Sequence, residues 1–152
     1  MRPHLRPDVS EILPGEIYIS SYPGPGDASW LRGEFGIGAV VSLQEDMDLS
    51  AKGLSEDELL RAYADAGIVF HRIGIADYDP DDVKRNIERV IVAIRGYRQA
   101  GYAVLVHCNA GFNRAPTVVI GYLHRHHAME LKQAERFVCE RRRCAPYMDA
   151  LA

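Results

Sequence analysis

Five residues, Asn109-Ala110-Gly111-Phe112-Asn113, separate Cys108 from Arg114. A thiol is a poor nucleophile until it loses its proton. A following helix N-terminus and a nearby cation both favour the thiolate. The arginine guanidinium is a planar fork of donors that matches two phosphate oxygens. A loop of this length can turn its backbone N–H groups inward, with a phosphate held between thiolate and guanidinium. Arg114 would bind the ground state and also the charge spread over the equatorial oxygens in the transition state. That is equipment for taking a phosphoryl group off a substrate. Gly111 permits close approach of the backbone. Pro116 suits the first turn of the next helix, where its missing N–H would have no partner, and that helix end is itself an anion site.

A buried cysteine and a surface arginine can fall at this spacing by accident. Context argues otherwise: an apolar strand, Val104-Leu105-Val106-His107, leads in, and a helix start follows. Removing a phosphoryl group also needs a proton for the leaving oxygen. Asp77, Asp79, Asp81 and Asp82 are the candidates. Asp79 is placed as an N-cap with Pro80 behind it, and Asp81 and Asp82 favour the positive helix end. Asp77 has no such task and is the chosen general acid; a solvated loop aspartate is the alternative.

The elements that must position these groups alternate. Ile17-Tyr18-Ile19-Ser20, Ala39 to Leu43, Ile68 to Ile73 and Ala103 to His107 read as strands. Helices are expected over Ala28 to Phe35, from a Ser55 cap to about Ala66, after Asp79, over Ala115 to His126 and over Leu131 to Arg142. Gln44 to Gly53 is polar and reads as loop. The strand before Cys108 is apolar on both faces, as in a sheet covered on both sides. Ligands of such sheets bind at the carboxyl ends of the strands, where Cys108 falls.

The 152 residues suit one domain with a real core. Met1 to Pro7 has no apolar run of the secretory kind, and no stretch reaches membrane-spanning length. A net charge of −3 argues against broad nucleic-acid binding. The cysteines are Cys108, Cys139 and Cys144, an odd number without Cys-x-x-Cys spacing, so a reducing cytoplasm is the expected setting. Cys139 and Cys144 read as small apolar residues near a helix end; the alternative is a thiol that protects Cys108 through a reversible disulfide. His124-Arg125-His126-His127 and Arg141-Arg142-Arg143 read as solvated helix ends, and Glu45-Asp46-Asp48 as polar loop rather than a cation site.

His107 to Arg114 resembles the signature loop of the dual-specificity branch of cysteine-dependent phosphatases. Asp77 precedes Cys108 at a spacing close to that of the branch. The resemblance extends roughly from Ile17 to Asp149. It implies a single catalytic domain over residues 1–152, with an α/β dual-specificity phosphatase fold: a central, mostly parallel twisted sheet flanked by helices. It implies Cys108 as the nucleophile that forms a phosphocysteine, Arg114 as the phosphate ligand, and Asp77 as acid and then base toward water. His107 would orient the loop by hydrogen bonding. Asn109, Ala110, Gly111, Phe112 and Asn113 would surround the substrate phosphate. No cofactor and no metal is implied, and a monomer is expected.

Within the branch the chain is most similar to plant starch (glucan) phosphatases and, less closely, to laforin. The stretches that carry this are Val41 to Asp48, Asp77-Tyr78-Asp79, the Cys108 to Pro116 loop, and Arg143-Cys144-Ala145-Pro146. Tyr78 fits the aromatic that follows the acid in those relatives; Tyr22, Trp30 and Phe112 are further candidates to line a glucose-chain channel. Two positions depart. Asn113 stands where the glucan enzymes have Gly, and Gly111-Phe112-Asn113-Arg114 is similar to RNA triphosphatases of the superfamily. Ala115 replaces the usual Ser or Thr, as in the glucan relatives. The implied substrate is a phosphoprotein or a phosphoglucan. The alternatives are RNA 5′-triphosphatase activity, a rhodanese-like sulfur transferase and a phospho-binding module.

Overall fold

A computed structural model describes residues 5–152; the first four residues of the leading stretch lie outside the described residues. Five strands form one sheet in the order β1-β2-β5-β3-β4. They are β1 (Val9–Leu13), β2 (Ile17–Ser20), β3 (Ile37–Ser42), β4 (Val69–Arg72) and β5 (Ala103–His107). β2, β5, β3 and β4 run parallel, and β1 pairs antiparallel with β2 at one edge. The mostly parallel sheet expected from the alternation is therefore present. The edge strand β1 was not expected, because Val9-Ser10-Glu11-Ile12-Leu13 carries too little alternation to stand out.

The helices are α1 (Ala28–Phe35), α2 (Asp46–Ala51), α3 (Glu56–Asp65), α4 (Pro80–Gln99), α5 (Arg114–His126) and α6 (Leu131–Arg141). Period-two alternation divides the strands between two cores, with a register shift between Ile37 and Ala39 in β3. Ile17, Ile19, Ala39, Val41, Val104 and Val106 face the core built with α4, α5 and α6. Tyr18, Ile37, Val40 and Leu105 face the other, with Leu31 of α1 and Leu59 and Tyr63 of α3. The expectation that the strand before Cys108 is buried on both faces is met.

Local signals placed most helix starts. The Ser55 side chain accepts a hydrogen bond from the Glu58 N–H, and the Asp79 side chain accepts from the Asp82 N–H, with Pro80 at the first position of α4. One expectation fails. Gln44 to Gly53 is not loop throughout, since α2 forms within it. The Glu45 N–H donates to the Asp48 carboxylate at 2.8 Å, so an acidic run caps its own helix.

Candidate active site

β5 ends at His107, in the middle of the sheet, and delivers Cys108 to its carboxyl edge. The chain then loops to Arg114, the first residue of α5. Six successive carbonyls in this stretch are drawn away from the loop centre. The Cys108 carbonyl accepts from His107 Nδ1 (3.0 Å) and that of Asn109 from the Tyr22 N–H (2.9 Å). Arg142 donates through Nη2 to the Ala110 carbonyl (3.0 Å) and through Nε to that of Gly111 (2.7 Å). The Phe112 carbonyl accepts from the Ala145 N–H (2.9 Å), and that of Asn113 from the Thr117 hydroxyl (2.7 Å). In a trans peptide the next N–H points opposite to the carbonyl. The N–H groups of residues 109–113 therefore face inward, and none donates to another described group. They form a ring of donors, an anion nest, above a cysteine that is only 3% exposed.

Gly111 is needed here for two reasons. Its φ is +67°, and a Cβ would lie 2.5 Å from the Ser20 carbonyl oxygen and 2.6 Å from Arg142 Nη2. The close approach expected at Gly111 is thus toward β2 and Arg142.

Arg114 is 1% exposed. Its Nη1 donates to Asp48 Oδ2 (2.8 Å) and to the Ile75 carbonyl (2.7 Å). Among the described residues Nε and Nη2 make no hydrogen bond, although Nη2 forms an ion pair with Asp77 Oδ2 at 3.4 Å. One edge of the guanidinium is thus anchored, and the other presents two parallel donors. Burying such donors without a hydrogen bond costs about 1–3 kcal/mol, which marks them as groups suited to face a ligand.

Asp48 was read as part of a polar loop; it is the anchor of Arg114. It also accepts from Asn109 Nδ2 at 3.0 Å. Burial pushes its pKa up, but the hydrogen bonds from Arg114, the Glu45 N–H and Asn109, with the charge of Arg114, bring it below the usual carboxylate value. Gln44, also buried, donates to Asn109 Oδ1 at 2.9 Å. These roles were missed because their signal is contact across the fold, not spacing along the chain. Asp48→Ala is expected to lower the unfolding free energy by about 2 kcal/mol, since it strands part of a buried cation. Urea denaturation measures it; an unchanged midpoint would contradict the anchoring role.

Asp77 lies at the rim of a cavity of about 200 Å³ that also meets Cys108 and Arg114. The Tyr78 N–H donates to Asp77 Oδ1 at 3.1 Å, and Asn109 Nδ2 approaches Oδ2 at 3.4 Å. The carboxylate expected to be free of a capping role, and chosen for that reason as the general acid, lines the cavity. Tyr78 is 82% exposed at a φ of +58°, a left-handed conformation uncommon for an aromatic residue. Asp82 stabilises the turn by accepting from the Ala76 N–H at 2.7 Å, beyond its expected role at the helix end.

Asn109, Ala110, Phe112 and Asn113 complete the cavity together with Lys52, which was not foreseen, whereas Gly111 does not line it. Tyr22 and Trp30 do not line it. Tyr22 lies in the adjoining cleft under the Lys52 ammonium, and Trp30 packs edge-on against Phe35. Asn113 spends its amide on the Ala145 carbonyl at 2.7 Å.

His107 is wholly buried. Its pKa is lowered to about 4, mainly by burial and secondarily by the charge of Arg114, against the opposing hydrogen bond to the Cys108 carbonyl. A depressed histidine pKa means that the unfolded chain takes up the proton first. Stability should therefore fall as pH drops from about 6.5 toward 4, by on the order of 3 kcal/mol in all. His107→Asn should flatten this part of a urea-midpoint profile; an unaltered profile would refute the assignment.

Arg142 is the main correction among the basic residues. It was read as part of a solvated helix end, but it is buried. Beyond its two bonds to the loop it donates to the Asp8 carboxylate and the Ser10 hydroxyl, each at 3.0 Å. Arg125, by contrast, is an exposed partner of Glu88. No cluster of His, Cys, Asp or Glu suited to a metal occurs among the described residues.

Residues 17–149 match the family described as dual specificity phosphatase, catalytic domain. The chain is 29% identical over 144 residues to the phosphoglucan phosphatase DSP4, amyloplastic, of Castanea sativa, covering 92% of this chain and 38% of that protein. It is 25% identical over 157 residues to laforin of Mus musculus, covering 96% and 47%. It thus spans less than half the length of either relative. Among solved structures, Tk-PTP in the active form superposes with a TM-score of 0.79 at 24% identity, covering 94% of this chain and 92% of that one. PTPMT1 superposes with a TM-score of 0.76 at 19% identity, covering 94% and 88%. These two likenesses speak for the fold.

Proposed function

This chain belongs to the dual specificity phosphatase catalytic-domain family, and on that premise we propose that it hydrolyses phosphate monoesters through a phosphocysteine. The observation that carries the reading is the inward ring of N–H groups beside Nε and Nη2 of Arg114, which make no hydrogen bond among the described residues, around the cavity that Cys108 meets. Such a site complements a trigonal phosphoryl group better than any neutral ligand. The Cys108 sulfur attacks phosphorus, the ester P–O bond breaks, and Asp77 gives its proton to the leaving oxygen. Asp77 then takes a proton from water, whose oxygen displaces the sulfur and frees inorganic phosphate. His107 acts as a positioning residue through the Cys108 carbonyl.

Two exposed aromatics, Tyr78 and the 40% exposed Phe112, border the cavity. They offer faces for a flat substrate group, either a pyranose ring or a phosphotyrosyl ring. The proposed substrates are accordingly phosphoglucan, as the name of the Castanea relative states for that protein, or phosphoprotein. The proposal is for one catalytic domain over the whole chain, acting as a monomer in the cytoplasm. No helix among the described residues is long and apolar enough to cross a membrane.

Phosphate release from phosphorylated amylopectin, phosphotyrosyl and phosphoseryl peptides and triphosphate-ended RNA, measured in parallel, tests the substrate. Release from RNA alone would overturn both proposed classes. Asp77→Asn tests the mechanism. It should cost about 10²-fold in kcat with alkyl phosphates and little with activated aryl phosphates. Equal losses with both would remove Asp77 from the acid role.

A further inference from the structure

The sulfurs of Cys139 and Cys144 lie 3.5 Å apart, at the end of α6 and just beyond it. Both residues are partly exposed rather than sealed in the core. We propose that they form a reversible dithiol–disulfide couple that conveys oxidation to the Cys108–Arg114 loop. The second half rests on the phosphate site proposed above.

A disulfide needs its sulfurs about 2.05 Å apart, so closure draws Cys144 toward α6 by roughly 1.5 Å. The ring so closed contains Arg142, whose guanidinium holds the Ala110 and Gly111 carbonyls. The next residue, Ala145, holds the Phe112 carbonyl through its N–H and the Asn113 amide through its carbonyl. Four of the loop's outer fastenings thus lie in or beside the segment that closure moves. A nest of donors tolerates little displacement before its hydrogen bonds to an anion weaken.

The chemistry balances with a peroxide as oxidant. Hydrogen peroxide converts the Cys139 thiol to a sulfenic acid, releasing water. The Cys144 thiol then displaces the second water as the S–S bond forms. Two electrons pass from the thiols to the peroxide. The Cys144 thiol is pushed up to about 12, first by burial and then by its contact with Cys139, which disfavours its thiolate. Cys139 is accordingly the sulfur that meets the oxidant first.

The test uses the full chain carrying Cys108→Ser, which removes oxidation of the nucleophile, with tungstate as phosphate mimic. Peroxide should lower the intact mass by two hydrogens. Trypsin cuts after arginine, and Arg141, Arg142 and Arg143 lie between the two cysteines. The disulfide should therefore appear as two peptides joined until reduced. Tungstate affinity by calorimetry should weaken at least threefold on oxidation and recover with dithiothreitol. Adding Cys139→Ser should abolish both responses. No linked peptides, or linked peptides with unchanged affinity, would overturn the proposal, as would a response that survives Cys139→Ser. Failure of the reduced protein to bind tungstate would instead refute the phosphate site, leaving the mass result to judge the thiol pair.

Discussion

Cys108→Ser is expected to reduce kcat on a small aryl phosphate by at least about 10⁴-fold, a barrier increase of some 5 kcal/mol. The hydroxyl holds its proton at neutral pH, and Asp77, the base of the second step, must enter the first step as the acid. His107 is buried, with its Nδ1 on the Cys108 carbonyl, and its pKa is already lowered to about 4. Asp77 sits at the rim, hydrogen-bonded to the Tyr78 N–H. The ring of N–H groups and Arg114 are untouched by the substitution, so affinity for an inert oxyanion should persist within a few-fold. The experiment pairs steady-state kinetics with calorimetry. Retention of a tenth of the turnover would dismiss the covalent route. Loss of oxyanion binding would mean that the substitution had deformed the loop.

Arg114→Lys is expected to lower kcat/KM by about 10³-fold, or roughly 4 kcal/mol. The charge is kept, so any effect comes from geometry. The guanidinium divides its work: Nη1 is fixed by Asp48 and the Ile75 carbonyl, while Nε and Nη2 face the cavity. An ammonium is one point of charge on a flexible stem and cannot be anchored on one edge while presenting two donors on the other. Because Asp48 still meets a cation, the thermal midpoint should move little. A large fall in Tm alongside the kinetic loss would point to a structural role instead.

Much of this site could be read before folding, because its chemistry is local. Cys108, Arg114 and the helix that starts at Arg114 lie within one short stretch, and a strand apolar on both faces has only one place in a covered parallel sheet. Asp79, Asp81 and Asp82 were set aside by capping rules that the structure bears out at Asp79. The residues that escaped are those whose partners are distant in sequence. Asp48 meets Arg114 across the sheet edge, and Arg142 reaches the loop from the far end of α6. Neither has a signature in its own neighbourhood: an acidic run resembles a polar loop, and an arginine run resembles a solvated helix end. β1 escaped for a related reason, since its pairing with β2 rather than its own pattern makes it a strand.

The fastening by Arg142 has one more consequence, for the shape of the loop. The side chain that shapes the Ala110–Gly111 turn comes from near the end of the chain, and it is itself held by Asp8 and Ser10 near the beginning. Without Arg142 in place, the Ala110 and Gly111 carbonyls lose the donors that turn them outward. The shape of the loop is thereby tied to the docking of two segments 134 residues apart in sequence, those of Asp8 and Arg142.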